Sequence, residues 1–157
     1  MKTPQDRRAE GVWRGLRALL RPLLDALKAP GQRRGTPQTR MGRKAEKEAE
    51  RYFRKNGYRI LARNFASTYG EIDLIVFKDG VVAFVEVRSR TDPAEPDPLY
   101  SVTRGKQRRI LRAAQLYVKR YGLGREDVDL RFDVVAVRYD GEGKLSGIEH
   151  IPNAFQA

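Results

Sequence analysis

Apolar and polar residues alternate in two distinct rhythms over residues 42–157, and the rhythm changes mark the elements. Residues 43–56 place Ala45, Ala49, Tyr52 and Phe53 on one helical face, and Asn56-Gly57 supplies a stop. A short strand is expected around Tyr58 to Leu61. Residues 71–77 (EIDLIVF) and 81–87 (VVAFVEV) are rich in β-branched and aromatic side chains and are separated by Lys78-Asp79-Gly80. Asp-Gly between two such runs predicts a hairpin. Residues 92–98 hold three prolines and three acids and read as a loop. The spacing then predicts a helix over 103–121, with Ile110, Leu111, Ala114, Leu116 and Val118 available for packing and Gly122 after its end. Strands at 132–138 and, more weakly, 147–151 complete an α-β-β-β-α-β-β order. That order implies an α/β domain, with one mixed central sheet flanked by helices.

The hairpin register concentrates the chemistry. With Asp79-Gly80 as a two-residue loop, Lys78 pairs with Val81, Asp73 falls opposite Glu86, and Glu71 falls opposite Arg88. Side chains alternate along a strand, so these four share one face with Ile75–Phe84 and Phe77–Val82. The other face carries Ile72–Val87, Leu74–Val85 and Val76–Ala83. Strands apolar on both faces belong in the middle of a sheet. Two carboxylates facing each other there repel, and a divalent cation, a shared proton or the neighbouring Arg88 would offset the repulsion. Both a metal site and a structural charge cluster satisfy this pattern.

Composition narrows the metal. The chain of 157 residues has no Cys and one His, so thiolate and multi-imidazole sites are excluded and any ion rests on oxygen ligands, which favours Mg²⁺ or Mn²⁺. The absence of Cys and of any apolar run near the roughly 18 residues of a membrane span makes a cytoplasmic setting the expectation.

Charge narrows the partner. Lys and Arg total 32 against 20 Asp and Glu, a net of +12, which points to a polyanion, with nucleic acid before anionic membrane. The excess is uneven: residues 1–40 hold 10 bases and 3 acids, while residues 41–157 hold 22 and 17. Residues 1–40 read as a basic extension and linker, and 41–157 as the folded domain. Within the extension, Trp13, Leu16, Leu19, Leu20, Leu23, Leu24 and Leu27 recur at helical spacing among arginines, with Pro22 as a break. Such a segment suits an extension that docks weakly or stays disordered, a contact with a membrane surface or anionic polymer through residues 11–28, or an organelle transit peptide. Asp6, Glu10, Asp25 and the scarcity of Ser count against the transit reading. The helix at 103–121 carries Arg104, Lys106, Arg108, Arg109 and Arg112 without an acid, a solvated face or a track for phosphates. Tyr69, Tyr100, Tyr117 and Tyr121 are candidates for stacking on bases, or core and rim residues.

Several motifs, in order, carry a resemblance: Gly70-Glu71-Ile72-Asp73-Leu74-Ile75, Phe84-Val85-Glu86-Val87-Arg88-Ser89-Arg90, Arg131-Phe132-Asp133-Val134-Val135 and Glu149-His150-Ile151-Pro152-Asn153-Ala154-Phe155. Over about residues 42–156 the chain resembles the bacterial YraN family of predicted endonucleases, itself similar to Holliday junction resolvases and the PD-(D/E)XK nucleases. The resemblance implies a restriction-endonuclease-like fold and metal-dependent hydrolysis of phosphodiesters in structured, branched DNA. By this likeness Asp73 and Glu86 are metal-binding and catalytic, the Val87 carbonyl is a backbone ligand, and Glu46 is the helical glutamate that completes such sites. Glu46 also reads as a solvated helix charge beside Glu48 and Glu50. Lys106, within Thr103-Arg104-Gly105-Lys106-Gln107, matches a further family motif. A homodimer is a further expectation from the resolvase likeness. One departure stands out: Arg88 occupies the motif's lysine position. A guanidinium cannot act as a base, yet it can hold a phosphate or stabilise developing charge. The alternative function is therefore a nucleic-acid-binding protein with a nuclease fold and little or no cleavage. A membrane-surface adaptor tethered through 11–28 is a third.

Overall fold

The computed structural model describes residues 39–92, 94, 95, 98–123 and 128–156. The amphipathic segment at 11–28 lies outside them. Helix α1 spans Arg40–Lys55 and β1 Arg59–Ser67. Strands β2 (Gly70–Lys78) and β3 (Val81–Arg90) follow, then the short helix α2 (Pro98–Ser101) and α3 (Arg104–Tyr121). Strands β4 (Asp129–Tyr139) and β5 (Leu145–Phe155) end the domain. The five strands lie in chain order, antiparallel except for the parallel β3–β4 pair. This is an α/β fold of the restriction-endonuclease-like type.

Local chemistry explains the helix ends. Thr39 Oγ1 accepts from Gly42 N at 3.0 Å and Thr103 Oγ1 from Lys106 N at 3.3 Å, each satisfying a backbone N–H at a helix start. Gly122 ends α3 at φ 63°, the left-handed conformation that a residue without Cβ adopts freely. Asp79 and Gly80 both have positive φ, 49° and 84°, and close the β2–β3 hairpin as a two-residue turn.

The expected elements are present with longer strands. The segment expected at Tyr58–Leu61 runs to Ser67, because Ala62 and Phe65 continue the pairing with β2 beyond a register shift between Ile60 and Ala62. Strand β5 likewise spans more than the expected 147–151. A short helix, Pro98–Ser101, begins on the last residue of the expected loop. In α3, Leu116 is 38% exposed, whereas Ala113 and Tyr117 are buried, so the inward face is rotated from the one expected.

Two apolar layers cover the sheet. Against α3 lie Ile72, Ile75, Phe77, Phe84, Phe132 and Val134, with Ile110 and Tyr117 from the helix. Against α1 lie Leu74, Val76, Ala83, Val85, Val135 and Val137, with Ala45, Ala49 and Phe53. A clamp at the rim joins α1 to β1: Glu50 takes two hydrogen bonds from Arg63 (2.6 and 2.8 Å) and one from Arg54 (2.9 Å). The Arg63 bonds, with the one from Arg54, overcome the effect of burial and bring the Glu50 carboxyl down to about 2.

Candidate active site at a fork between two strands

The hairpin pairs as expected from Lys78↔Val81 to Leu74↔Val85, and there the β2–β3 ladder stops. Beyond it β2 stays with β1, in Ile72↔Phe65 and Glu71↔Ala66, while β3 stays with β4 as far as Arg90↔Arg138. The expected pairs Asp73–Glu86, Glu71–Arg88 and Ile72–Val87 therefore do not form. The cause is visible at Asp73. Its Oδ2 accepts the Val87 N–H at 2.7 Å, so a side chain takes a donor that a regular ladder would give to backbone. On the other side of β2, pairing with β1 passes from Leu74↔Arg63 to Ile72↔Phe65, skipping Asp73 and Asn64. Asn64 adopts φ 45°, a conformation that asparagine tolerates better than most residues. The irregularity also turns Ile72 to the α3 side, while Val87 packs towards α1.

The fork brings two carboxylates into one another's field. Glu86 is 2% exposed. Its Oε1 receives Lys106 Nζ at 2.8 Å and lies 3.5 Å from Arg88 Nε, while its Oε2 is buried with no hydrogen-bond partner among the described residues. Burial is the main force pushing the Asp73 carboxyl well above the ordinary range, reinforced by the charges of Glu86 and Glu46; the Val87 N–H and Lys106 act in the opposite sense.

The other expected site residues divide. Arg88 reaches back to Ser101, its guanidinium donating to that carbonyl at 3.1 Å, so it ties β3 to the segment ahead of α3. Val87 enters the site through the N–H that meets Asp73. Glu46 is half-buried and close enough to influence Asp73, but its Oε2 accepts from Asn64 Nδ2 at 2.9 Å. Among the described residues, no three acids or histidines gather into a metal-holding group, so a closed set of Glu46, Asp73 and Glu86 is not formed. Arg104, Arg108, Arg109 and Arg112 are exposed along α3, and Arg112 lies over the ring of Tyr69, 5.6 Å from its centroid. Of the candidate stacking tyrosines, Tyr69 is 43% exposed and Tyr117 is fully buried core. Tyr121 packs at the edge of that core, and the Tyr100 side chain is outside the described set.

Sequence reasoning placed Lys106 in the phosphate track and missed its contact with Glu86. The signal was faint: Thr103 as helix cap makes Lys106 a first-turn residue, but only the docking of α3 aims it at β3. Asn64 was missed too, for want of a local mark of its backbone conformation.

The donor set suits a hard divalent cation. It is all oxygen, two carboxylates lie at the fork, and Glu86 Oε2 is the one carboxylate oxygen among the five buried side-chain polar atoms that lack a partner among the described residues. Residues 45–137 match the profile of the uncharacterised protein family UPF0102. The chain belongs to this family, the YraN family of the sequence resemblance. Among its relatives, a UPF0102 protein of Desulfosudis oleivorans is 42% identical over 116 residues, covering 74% of this chain and 89% of the relative. One from Myxococcus xanthus is 39% identical over 128 residues, 80% and 98% of the two chains. A third, from Symbiobacterium thermophilum, is 44% identical over 118 residues, 75% and 98%. The aligned lengths accommodate the domain without the whole basic extension. No helix among the described residues is long and apolar enough to cross a membrane.

Proposed function

We propose that this UPF0102 protein is a metal-dependent endonuclease that hydrolyses phosphodiesters of structured, branched DNA. The observation that carries the reading is the fork, where Asp73 and Glu86 converge, one Glu86 oxygen has no partner, and the cationic side chains of β3 and α3 stand at its mouth. Asp73 and Glu86 would hold Mg²⁺ or Mn²⁺, with Glu46 and the Val87 carbonyl as further candidate ligands. Such an ion supplies Lewis-acid polarisation of a phosphoryl oxygen and lowers the pKa of an attacking water.

The chain's own groups do the rest. Arg104, Arg108, Arg109 and Arg112 form a row of exposed guanidinium groups that binds backbone phosphates irrespective of base, as suits recognition by shape rather than by sequence. Arg88, pinned near Glu86 by Ser101, offers a fixed positive charge to the phosphate and no general base. In the reaction a water oxygen forms the new bond to phosphorus and gives up a proton to bulk solvent, the bond from phosphorus to the leaving sugar oxygen breaks, and that oxygen takes up a proton from solvent.

Arg88 also favours a second reading, binding without efficient cleavage. Incubating the full chain with branched, flapped, single-stranded and duplex DNA in Mg²⁺ or Mn²⁺ separates the two. Cut product that disappears in Asp73→Ala and Glu86→Ala supports the nuclease. Absence of product with every substrate, together with binding that ignores metal, would sink it and leave the binding module.

A further inference from the structure

Lys106 is a cation placed against its local electrostatics. It occupies the first turn of α3, where the helix dipole is positive, and Arg104, Arg108 and Arg109 share that end with no acid in the first turn. An opposing anion must make the placement favourable, and Glu86 is that anion: Nζ lies 2.8 Å from Oε1. Arg88 Nε, on the same strand as Glu86, stays 3.5 Å away with no hydrogen bond, because the guanidinium is engaged by the Ser101 carbonyl. The ammonium nearest the acidic fork therefore comes from α3 and not from β3.

We propose that Lys106 is the resident counter-ion of Glu86, which yields that carboxylate to a divalent cation and then donates a hydrogen bond to the scissile phosphate. This assignment rests on the nuclease reading and gives it a catalytic residue in place of the lysine that β3 lacks. An ammonium and a divalent cation repel when both crowd one buried carboxylate. The four-carbon stem of lysine lets Nζ move by changing rotamers, whereas the Arg88 fork is held by its own bond to Ser101. Nζ serves as donor and charge, and the attacking water gives its proton to bulk solvent. A side chain 32% exposed, as Lys106 is, has room for such a shift.

Opposite signs in two measurements test this. In Lys106→Ala, Mn²⁺ uptake by the full chain, followed by electron paramagnetic resonance of the free ion, is expected to tighten about tenfold, the scale of removing one like charge from beside a site. The single-turnover cleavage rate at saturating Mn²⁺ is expected to fall about 10²-fold, the scale of losing one transition-state donor, with DNA affinity nearly unchanged. Lys106→Met, which keeps most of the stem, repeats both measurements if the alanine variant melts early. Weaker Mn²⁺ uptake, an unchanged rate, or a rate that falls only in step with DNA affinity would overturn the assignment. If the wild type takes up Mn²⁺ yet cuts no DNA, the nuclease reading fails, while the uptake comparison still decides whether Lys106 competes at Glu86. If the wild type takes up no Mn²⁺, the Lys106 assignment is overturned as well.

Discussion

Two carboxylate clusters, one around Asp133 and one around Asp73 and Glu86, have contrary electrostatics. On the α1 side, Asp133 receives both arms of Arg131 at 2.8 and 2.9 Å, the Asn153 N–H at 3.0 Å and the His150 ring at 2.8 Å. Tyr52, Phe53 and Tyr58 pack their rings around His150. Burial alone would raise the Asp133 carboxyl, but the bonds from His150, Arg131 and Asn153 outweigh it and hold it below the ordinary value. At the fork, Asp73 is pushed upward and Glu86 keeps a bare oxygen. A saturated cluster stabilises the fold and has nothing left to offer a ligand. An unsaturated one weakens the fold at that place and retains the capacity to bind a cation.

The sharpest way to break this contrast is activity. Removing either fork acid, in Asp73→Ala or Glu86→Ala, is expected to lower the cleavage rate by at least about 10²-fold, while Asp133→Asn, assayed where it remains folded, keeps most of it. Comparable losses in all three would erase the distinction. Next in size is stability. Asp133→Asn leaves Arg131 and His150 with a broken partner, and urea unfolding is expected to show a loss of about 3–5 kcal/mol. Asp73→Asn removes a strained charge and should be neutral or stabilising, by roughly 1 kcal/mol.

The pH dependence of unfolding sharpens the contrast further. A carboxyl lowered in the folded state, such as Asp133, contributes stability above its unfolded pKa of about 3.9; this is lost as pH falls through the folded value. A raised carboxyl, such as Asp73, contributes below about 3.9 and loses that contribution as pH rises through its folded value. Urea titrations across pH should therefore show Asp133→Asn flattening the acid limb and Asp73→Asn flattening the decline above it. The reverse assignment would invert the electrostatic picture. Smallest is the α3 track: each of Arg109→Ala and Arg112→Ala is expected to weaken DNA binding on all sequences alike and lower the salt slope by about 1. An unchanged slope would take these residues out of the interface.

Much of this architecture was legible in the chain. Residues 71–77 and 81–87 declare a hairpin through their β-branched content and the Asp-Gly turn, and the pairing holds as far as Leu74↔Val85. Asp73 and Glu86 stand out because acids interrupt runs that are otherwise apolar on both faces. The register failed one step further on, at the candidate site itself. Pairing arithmetic assumes that backbone groups satisfy one another, and there the Asp73 side chain took the Val87 N–H. Leu116 was misplaced because helical phase within a run of alternating bases and small residues is weakly specified until the helix docks. Asp133 and His150 both lie in motifs that carry the family resemblance, but nothing in a linear pattern says that residues on neighbouring strands will share a hydrogen bond.

The sequence by itself determined the elements, the family and the acids, since these depend on local periodicity, turn chemistry and residue type. Only the tertiary structure decided that β2 and β3 part at Asp73, that Arg88 turns to Ser101, and that Lys106 crosses from α3 to Glu86. Those outcomes are competitions among donors and acceptors far apart in the chain. Such competitions have no winner until packing brings every contestant within reach.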